Sequence, residues 1–285
     1  MIITIVGPTG VGKTRLSIEL AKKYNAEIIN ADSTQIYQEM NIGTAKITIL
    51  EGITHHLLNV KKLNEEYTVY DFQKDGRLII NNILKKGKNI IIVGGSGLYI
   101  STLLYDYKFN KEDKKININI SITEMFNELL KNNIKVDKNN HQRIMRIYNR
   151  YILNKESINI KEGTKLLYNT IIIGLTTNRD NLYQRINNRV DEMIKEGLLD
   201  EVKYLFNKYP YSKQLRTTIG YKEFIDYFNQ TKSLEDVIEK IKQNSRHFAK
   251  RQYTWFNNKM KVKWFDTNYD DFNQTIKQIE KYINS

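Results

Sequence analysis

The part of the chain that decides the fold is its beginning, where residues 1–24 read MIITIVGPTGVGKTRLSIELAKKY. Ile2–Val6 is a short run of apolar, mostly β-branched residues, which favours a buried strand. A glycine-rich turn follows, and from Thr14 to Tyr24 the apolar residues recur with the period of a helix. A strand, a glycine-rich turn and a helix in direct succession predict an α/β fold that binds phosphate at its first turn.

The turn itself matches the P-loop pattern Gly-x-x-x-x-Gly-Lys-Thr. It consists of Gly7, Pro8, Thr9, Gly10, Val11, Gly12, Lys13 and Thr14. Glycines let successive backbone N–H groups point into one concavity at a helix N-terminus, where hydrogen bonds and the helix dipole stabilise phosphate oxygens. In this pattern Lys13 supplies a positive charge to the phosphates and Thr14 supplies a hydroxyl to Mg²⁺, the cofactor we expect.

Further strands and helices alternate through the first hundred residues. We predict strands at Glu27–Asn30 and Asn89–Val93 and a helix at Val69–Lys86. Alternation of this kind indicates a P-loop NTPase-like parallel sheet that is flanked by helices on both faces. Ligands of such sheets bind at the carboxyl ends of the strands.

Residues 108–140 interrupt this rhythm, since they are rich in Lys, Asn and Asp and contain one convincing helix. We interpret them as a small inserted lobe in a core formed by residues 1–107 and 141–285. The C-terminal half is predicted to be largely helical through Arg179–Asn207, Tyr221–Asn229 and Ser233–Phe256, with short strands at Thr170–Leu175 and Val262–Phe265.

Composition narrows the classes of function. The 285 residues carry a formal net charge of +13, which attracts a polyanion such as RNA, although a general bias towards Lys, Asn and Ile explains the excess equally well. Cysteine is absent, which excludes disulfides and thiolate metal sites, argues against a zinc ion at His55 and His56, and suits a cytoplasmic location. Met1–Val6 lacks the basic region of a signal peptide, and no apolar run approaches the roughly 18 residues of a membrane span.

Two features bear on the reaction. ATP hydrolases usually have an apolar strand that ends in a magnesium-binding Asp, whereas Asn89–Val93 runs into Gly94-Gly95-Ser96-Gly97, which weakens an ATPase interpretation. Asp32 follows the strand Glu27–Asn30 and is expected at the same rim as the P-loop. It could act as a general base or as the cap of a helix, and position alone favours neither role.

Ordered blocks over nearly the whole chain resemble the motifs of the bacterial tRNA dimethylallyltransferases. Besides the P-loop, the blocks are Asp32–Tyr37, Asn41–Lys46, His55–Leu57, Val93–Tyr99, Gln142–Arg146, Leu182–Asp191, Ile219–Glu223 and Ala249–Phe256. The resemblance implies transfer of a dimethylallyl group from dimethylallyl diphosphate to the exocyclic amine of the adenosine 3′ of the anticodon in tRNA. In that reaction the P-loop would hold the departing diphosphate, which accounts for the missing aspartate strand.

The resemblance also implies roles for single residues. Asp32 matches the family's general base, Ser96 matches a hydroxyl that helps to position the substrate, and Arg189 matches an arginine associated with the diphosphate, so these three join Lys13 and Thr14 as catalytic candidates. Without the family, Arg189 would be interpreted as an exposed helical charge. The residues that match tRNA contacts, or that form a basic and aromatic helix suited to RNA, are Asp32, Ser33, Thr34, Gln35, Ser96, Gln142, Arg143, Ile144, Met145, Arg146, Arg216, Thr217, Thr218, Ile219, Gly220, Tyr221, Arg246, Lys250 and Arg251.

The chain departs from the family pattern at Asn41 and Asn59, where Asp is usual, and at Ile47, where Pro is usual. The inserted lobe is shortened, so Lys114 or Lys115 is expected to take over part of its contact with the anticodon stem-loop. We expect a monomer, because no heptad pattern or unpaired apolar stripe is present.

Two alternative functions belong to other classes. A P-loop small-molecule kinase would use Asp32 to activate an acceptor, and the missing aspartate after Asn89–Val93 disfavours it. A nucleotide-gated RNA-binding module would not need Asp32 and Ser96 to face each other across one cleft.

Overall fold

The computed structural model describes residues 1–109, 120–153 and 163–285. The chain divides into two compact units, the larger formed by Met1–Tyr105 with Leu166–Ser285 and the smaller by Asp106–Lys165.

The larger unit is built on a parallel sheet of six strands in the order β3-β2-β4-β1-β5-β6. The strands are β1 (Ile2–Val6), β2 (Ala26–Asn30), β3 (His55–His56), β4 (Asn89–Val93), β5 (Thr170–Thr176) and β6 (Lys263–Asp266). The predicted α/β fold with a P-loop NTPase-like sheet is confirmed. Strand β3 was not predicted, because two residues are too few to show a period.

Helices cover both faces of this sheet. Those of the larger unit are α1 (Lys13–Tyr24), α2 (Val69–Lys85), α3 (Gly97–Leu104), α6 (Arg179–Lys195), α7 (Leu198–Lys208), α8 (Lys213–Thr217), α9 (Phe224–Phe228), α10 (Leu234–Lys259) and α11 (Phe272–Ile283). The helical character predicted for the C-terminal half is confirmed.

Strand β1 lies at the centre of the core, between β4 and β5, and every one of its residues is buried. Because side chains alternate across a sheet, Ile2 and Val6 join one hydrophobic cluster and Ile3 and Ile5 join the other. Burial on both faces is why four of the five residues of β1 are apolar, and the hydroxyl of the fifth, Thr4, is hydrogen-bonded to the hydroxyl of Thr170 at 3.0 Å.

The helical segment predicted over Arg179–Asn207 consists of two helices in the structure, α6 and α7. Gly197 separates α6 from α7 with a left-handed φ of 96°. A glycine tolerates this conformation at no steric cost, so the helix ends and a new axis begins.

The smaller unit contains α4 (Ile122–Lys131), α5 (His141–Tyr148) and a π-helical turn (Asn149–Leu153). The inserted lobe was predicted to end at residue 140, whereas this unit continues to Lys165. The difference has a packing reason, because Ile144 and Tyr148 of α5 complete the apolar core begun by Met125 and Leu129 of α4. Lys114 and Lys115 lie outside the described residues.

Candidate active site

The P-loop connects β1 to α1 in a conformation that requires glycine. Gly7, Gly10 and Gly12 all have φ between 87° and 138°. A Cβ atom on Gly7 would lie 2.5 Å from the carbonyl oxygen of Leu175 in β5, and one on Gly12 would lie 2.7 Å from the ring of Phe272 in α11. The loop is therefore held tightly between the sheet and α11.

A cavity of about 440 Å³ lies against this loop. Its lining includes Lys13 and Thr14 of the P-loop, Asp32 after β2, Gly95 after β4 and Arg189 of α6. These groups meet because neighbouring parallel strands end at the same edge of the sheet. The structure thus brings the predicted base into one cavity with five of the eight predicted phosphate-binding residues, namely Thr9, Gly10, Gly12, Lys13 and Thr14.

Lys13 is partly buried, and its amine donates a hydrogen bond of 2.7 Å to the carbonyl oxygen of Pro8. Burial lowers the pKa of Lys13 to about 8; the charge of Asp32 opposes this shift and that of Arg189 adds to it. Desolvation disfavours the charged amine. An anion that entered the cavity would stabilise the ammonium form and remove much of this penalty.

Arg189 reaches the cavity from α6 and is not the exposed charge that its position alone suggested. One guanidinium nitrogen, Nη1, donates to the hydroxyl of Thr9 at 3.0 Å. Burial lowers the pKa of Arg189, and the carboxylate of Asp32 opposes that shift. The arginine therefore adds a second, partly desolvated positive charge beside the P-loop.

Arg185 also lines the cavity, and sequence reasoning missed it. It precedes Arg189 by one helical turn, donates from Nε to the carbonyl oxygen of Gly10 at 3.2 Å, and lies 4.0 Å above the ring of Tyr269. The i,i+4 spacing of the two arginines could have indicated that they share a face of α6.

The carboxylate of Asp32 stabilises a turn at residues 33–36; the next helix in the chain, α2, begins only at Val69, so the helix-cap alternative is wrong. Its Oδ1 accepts hydrogen bonds from the backbone N–H of Thr34 at 3.0 Å and from the Thr34 hydroxyl at 2.7 Å. Its Oδ2 makes no hydrogen bond with the described residues. One oxygen therefore fixes the local turn, and the other can accept a proton from a ligand in the cavity.

Ser96 acts on the loop that carries Asp32. Its hydroxyl accepts the N–H of Ser33 at 2.9 Å and donates to the Ser33 hydroxyl at 3.2 Å, while its own N–H donates to the carbonyl oxygen of Ala31 at 3.2 Å. A Cβ atom on Gly94 would lie 2.1 Å from that same oxygen. The loops after β2 and β4 are thus joined, and Ser96 holds the neighbour of Asp32 rather than facing a ligand.

A carboxylate on α7, Glu201, holds the segment beyond Asp32 and was not predicted. Its Oε2 accepts the N–H groups of Asn41 at 3.1 Å and Ile42 at 2.9 Å, and its Oε1 accepts the N–H of Gly43 at 3.2 Å and the Tyr221 hydroxyl at 2.6 Å. Local sequence patterns cannot predict this contact, because its residues lie 160 positions apart in the chain.

Two of the positions that depart from the family pattern, Asn41 and Asn59, both contact Lys46. Its buried amine donates to the side-chain oxygens of Asn41 at 3.2 Å and Asn59 at 2.6 Å and to the carbonyl oxygen of Tyr37 at 2.6 Å. Burial lowers the pKa of Lys46 to about 8, although the charges of Glu201 and Asp32 oppose the shift. All three of these acceptors are neutral oxygens.

The residues predicted to contact tRNA differ in exposure. Arg143 and Arg146 of α5 are exposed, as are Lys250 and Arg251 of α10. Ile144 and Tyr221 are completely buried, so their side chains are not available to RNA in this structure.

Other members of the predicted set have protein partners. Arg216 donates to the carbonyl oxygen of Pro210 at 2.9 Å, and Arg246 donates to Asn187 at 2.6 Å. The side-chain amide of Gln35 donates to the carbonyl oxygen of Thr44 at 3.1 Å.

The cavity suits Mg²⁺ better than a metal that needs a cage of protein ligands. Within the described residues, no three His, Asp or Glu side chains converge on one point. His56 contacts Glu27 at 2.7 Å, and the Nδ1 atom of His55 lies 3.0 Å from the carbonyl oxygen of Ile53. Mg²⁺ keeps several waters and binds through few protein oxygens plus substrate phosphates, and the Thr14 hydroxyl in the same cavity as a phosphate loop fits that preference.

A sequence model described as IPP transferase matches residues 35–259. The chain belongs to the IPP transferase family. Two curated relatives named tRNA dimethylallyltransferase support this: the protein from Anoxybacillus flavithermus is 42% identical over 297 residues, covering 99% of this chain and 96% of the relative, and that from Geobacillus thermodenitrificans is 44% identical over 301 residues with the same coverage.

Solved structures of related enzymes have the same fold as this IPP transferase family member. The tRNA Δ2-isopentenylpyrophosphate transferase of Staphylococcus epidermidis is 37% identical, with a TM-score of 0.77 and coverage of 99% of this chain and 98% of the other. A eukaryotic dimethylallyltransferase acting on tRNA is 30% identical, with a TM-score of 0.81 and coverage of 98% and 77%. In the described part of the chain, no helix combines the length and the apolar character that crossing a bilayer requires.

Proposed function

We propose that the protein transfers the dimethylallyl group of dimethylallyl diphosphate to the exocyclic amine of the adenosine 3′ of the anticodon in tRNA and releases diphosphate. The observation that carries the proposal is the shared cavity, in which Lys13 and Arg189 beside the P-loop face the same space as Asp32. Membership of the IPP transferase family supports the reaction class.

The P-loop and its two cations would bind the donor through its diphosphate. Negative charge grows on the departing diphosphate as the allylic C–O bond breaks. Backbone N–H groups of the loop, the Lys13 ammonium and the Arg189 guanidinium are in place before the reaction, so they stabilise this charge without reorganisation. They act most strongly in the transition state, which is where stabilisation raises the rate.

The Thr14 hydroxyl, at the first turn of α1, would hold Mg²⁺ together with the donor's diphosphate oxygens. A bound Mg²⁺ would withdraw further negative charge from the leaving group.

Asp32 would act on the acceptor. The lone pair of an adenine exocyclic amine is delocalised into the ring, so the amine is a weak nucleophile. As the new C–N bond forms and the C–O bond breaks, the nitrogen gains positive charge, and the free Oδ2 of Asp32 would take its proton. Because the Oδ1 contacts with Thr34 hold the carboxylate, its orientation is set before the adenine arrives.

The exposed basic residues Arg143, Arg146, Lys250 and Arg251 would contact the tRNA backbone. They belong to a chain of formal net charge +13, which attracts RNA over distances of about a Debye length. The contact of the smaller unit with the anticodon stem-loop, the cytoplasmic location and the monomeric state are predictions from the sequence.

Incubation with radiolabelled dimethylallyl diphosphate and an unmodified tRNA transcript tests the proposal. We expect label in the tRNA, and no label in a matched transcript with guanosine at the acceptor position, since guanosine carries a carbonyl oxygen where adenosine carries its amine. Absence of label from both transcripts would reject the transferase. Phosphate transfer from ATP to a small acceptor by the same preparation would then support the kinase.

A further inference from the structure

Gln252 is a buried glutamine on α10 that connects two loops of the cavity. The backbone N–H of Thr9 in the P-loop donates to its Oε1 at 2.9 Å, and its Nε2 donates to the carbonyl oxygen of Gly95 after β4 at 3.0 Å. Only 5% of the residue is exposed. The N–H of Thr9 can only donate and the carbonyl oxygen of Gly95 can only accept, so these two partners determine the orientation of the amide.

The glycine that Gln252 contacts leaves room for this amide. A Cβ atom on Gly95 would lie 2.1 Å from Nε2 of Gln252, closer than any real contact. The absence of a side chain at Gly95 therefore lets the amide reach the backbone, and a larger residue would displace it.

The connection continues to Asp32. Gly95 is followed by Ser96, whose hydroxyl accepts the N–H of Ser33, the residue after Asp32. On the other side, Thr9 accepts the hydrogen bond from Arg189. Gln252 is thus the middle link between the loop that would hold the donor and the loop that carries the base.

We propose that Gln252 is a positioning residue for prenyl transfer, which sets the distance between the donor-binding P-loop and the loop of Asp32. The inference rests on the proposed function and goes beyond it, since Gln252 itself does not line the cavity. Reacting groups must approach to about 3–3.5 Å, and a displacement of about 1 Å can lower a rate by on the order of a hundredfold.

An amide is suited to this task because it donates and accepts at the same time. A carboxylate of the same size could accept the N–H of Thr9, but its second oxygen would face the carbonyl oxygen of Gly95 and repel it. A protonated carboxylic acid would again donate and accept. The variant Gln252→Glu should therefore position the loops poorly when ionised and well when protonated, and burial favours the protonated form.

The test compares single-turnover transfer by the parent, Gln252→Glu and Gln252→Met, with donor and tRNA saturating. The matched control is Gln243→Glu, the same chemical change at an exposed position of the same helix. At about pH 8 we expect Gln252→Glu to react on the order of a hundredfold more slowly than the parent, with the KM of each substrate changed by less than about threefold. The control should react like the parent.

Lowering the pH should distinguish a positioning role of Gln252 from a merely structural role. As the pH falls from about 8 to about 6, the ratio of the Gln252→Glu rate to the parent rate should rise, because the buried carboxyl takes up a proton. The ratio for Gln252→Met should stay constant and low. Lys13, Asp32, Arg185 and Arg189 are charged groups carried by or bonded to the connected loops, and all the proteins compared retain them.

Rates of both Gln252 variants near the parent value, or a Gln252→Glu ratio independent of pH, would overturn the inference. A loss seen only as a raised KM for one substrate would also overturn it. Thermal unfolding identifies a variant that fails to fold. If Gln252→Glu fails to fold, the kcat and KM of Gln252→Met decide whether Gln252 positions the loops. A parent enzyme that transfers no label would instead overturn the proposed function.

Discussion

Replacing Asp32 by Asn separates the two roles of this residue. Asparagine has the same size, and its Oδ1 can still accept from the N–H and the hydroxyl of Thr34, so the turn is kept. Its amide nitrogen replaces the oxygen that is free to take a proton. The substitution therefore removes the proposed base and leaves its structural contacts.

The expected magnitudes differ widely between activity and stability. Loss of a general base lowers the rate by about a hundredfold to ten-thousandfold, or about 2.7–5.5 kcal/mol of activation free energy. Asn stabilises such a turn about as well as Asp, so the free energy of unfolding should change by less than about 1 kcal/mol. Removing the carboxylate also removes a negative charge beside the diphosphate site, so the donor KM should stay the same or fall.

The assay is a single-turnover measurement of label transfer at about pH 7, with both substrates saturating. Asp71→Asn is a matched control, since Asp71 is a partly exposed residue in the first turn of α2 whose side chain accepts from the N–H of Thr68 at 2.8 Å. A rate of Asp32→Asn within about threefold of the parent, far above that expected after loss of a base, would refute the mechanism and leave Asp32 as a residue that only stabilises a turn.

Three further predictions concern charge. The kcat/KM for the donor should fall as the pH rises through about 8, because the diphosphate binds the protonated form of Lys13. The pH profile of Lys13→Arg should not show this fall, since the guanidinium stays charged. The same fall in both proteins would contradict the role given to Lys13. Glu201→Gln should lower the free energy of unfolding by about 1–3 kcal/mol in urea titrations, because its amide would present N–H groups to backbone N–H donors, and an unchanged value would argue against the network. Neutralising Arg143 and Arg146 should make tRNA affinity less sensitive to salt: the magnitude of the slope of log affinity against log salt should fall by about one per lost phosphate contact. An unchanged slope in filter-binding assays would mean that these arginines do not contact phosphate.

Local regularity in the sequence predicted much of the fold. The bounds of β1 and β4 were predicted to the residue, because apolar β-branched runs bounded by glycine or by charged residues leave few alternatives. The P-loop was equally clear in the sequence, since the backbone conformation requires glycine at positions 7, 10 and 12. Two boundaries were not visible in the sequence: the break between α6 and α7 at Gly197, and the end of the smaller unit at Lys165. At both places the helical period of the sequence continues, although the helix axis or the structural unit changes.

For the site, the sequence by itself determined that Lys13, Thr14 and Asp32 follow strands that end at one edge of a parallel sheet, and it predicted phosphate and proton chemistry there. Only the tertiary structure decided how they are held. The bonds of Arg189 and Gln252 to Thr9 join residues 180 and 243 positions apart. Such partners are set by how α6 and α10 pack against the sheet, and packing depends on the shapes of many distant side chains, which leave no periodic trace in the chain.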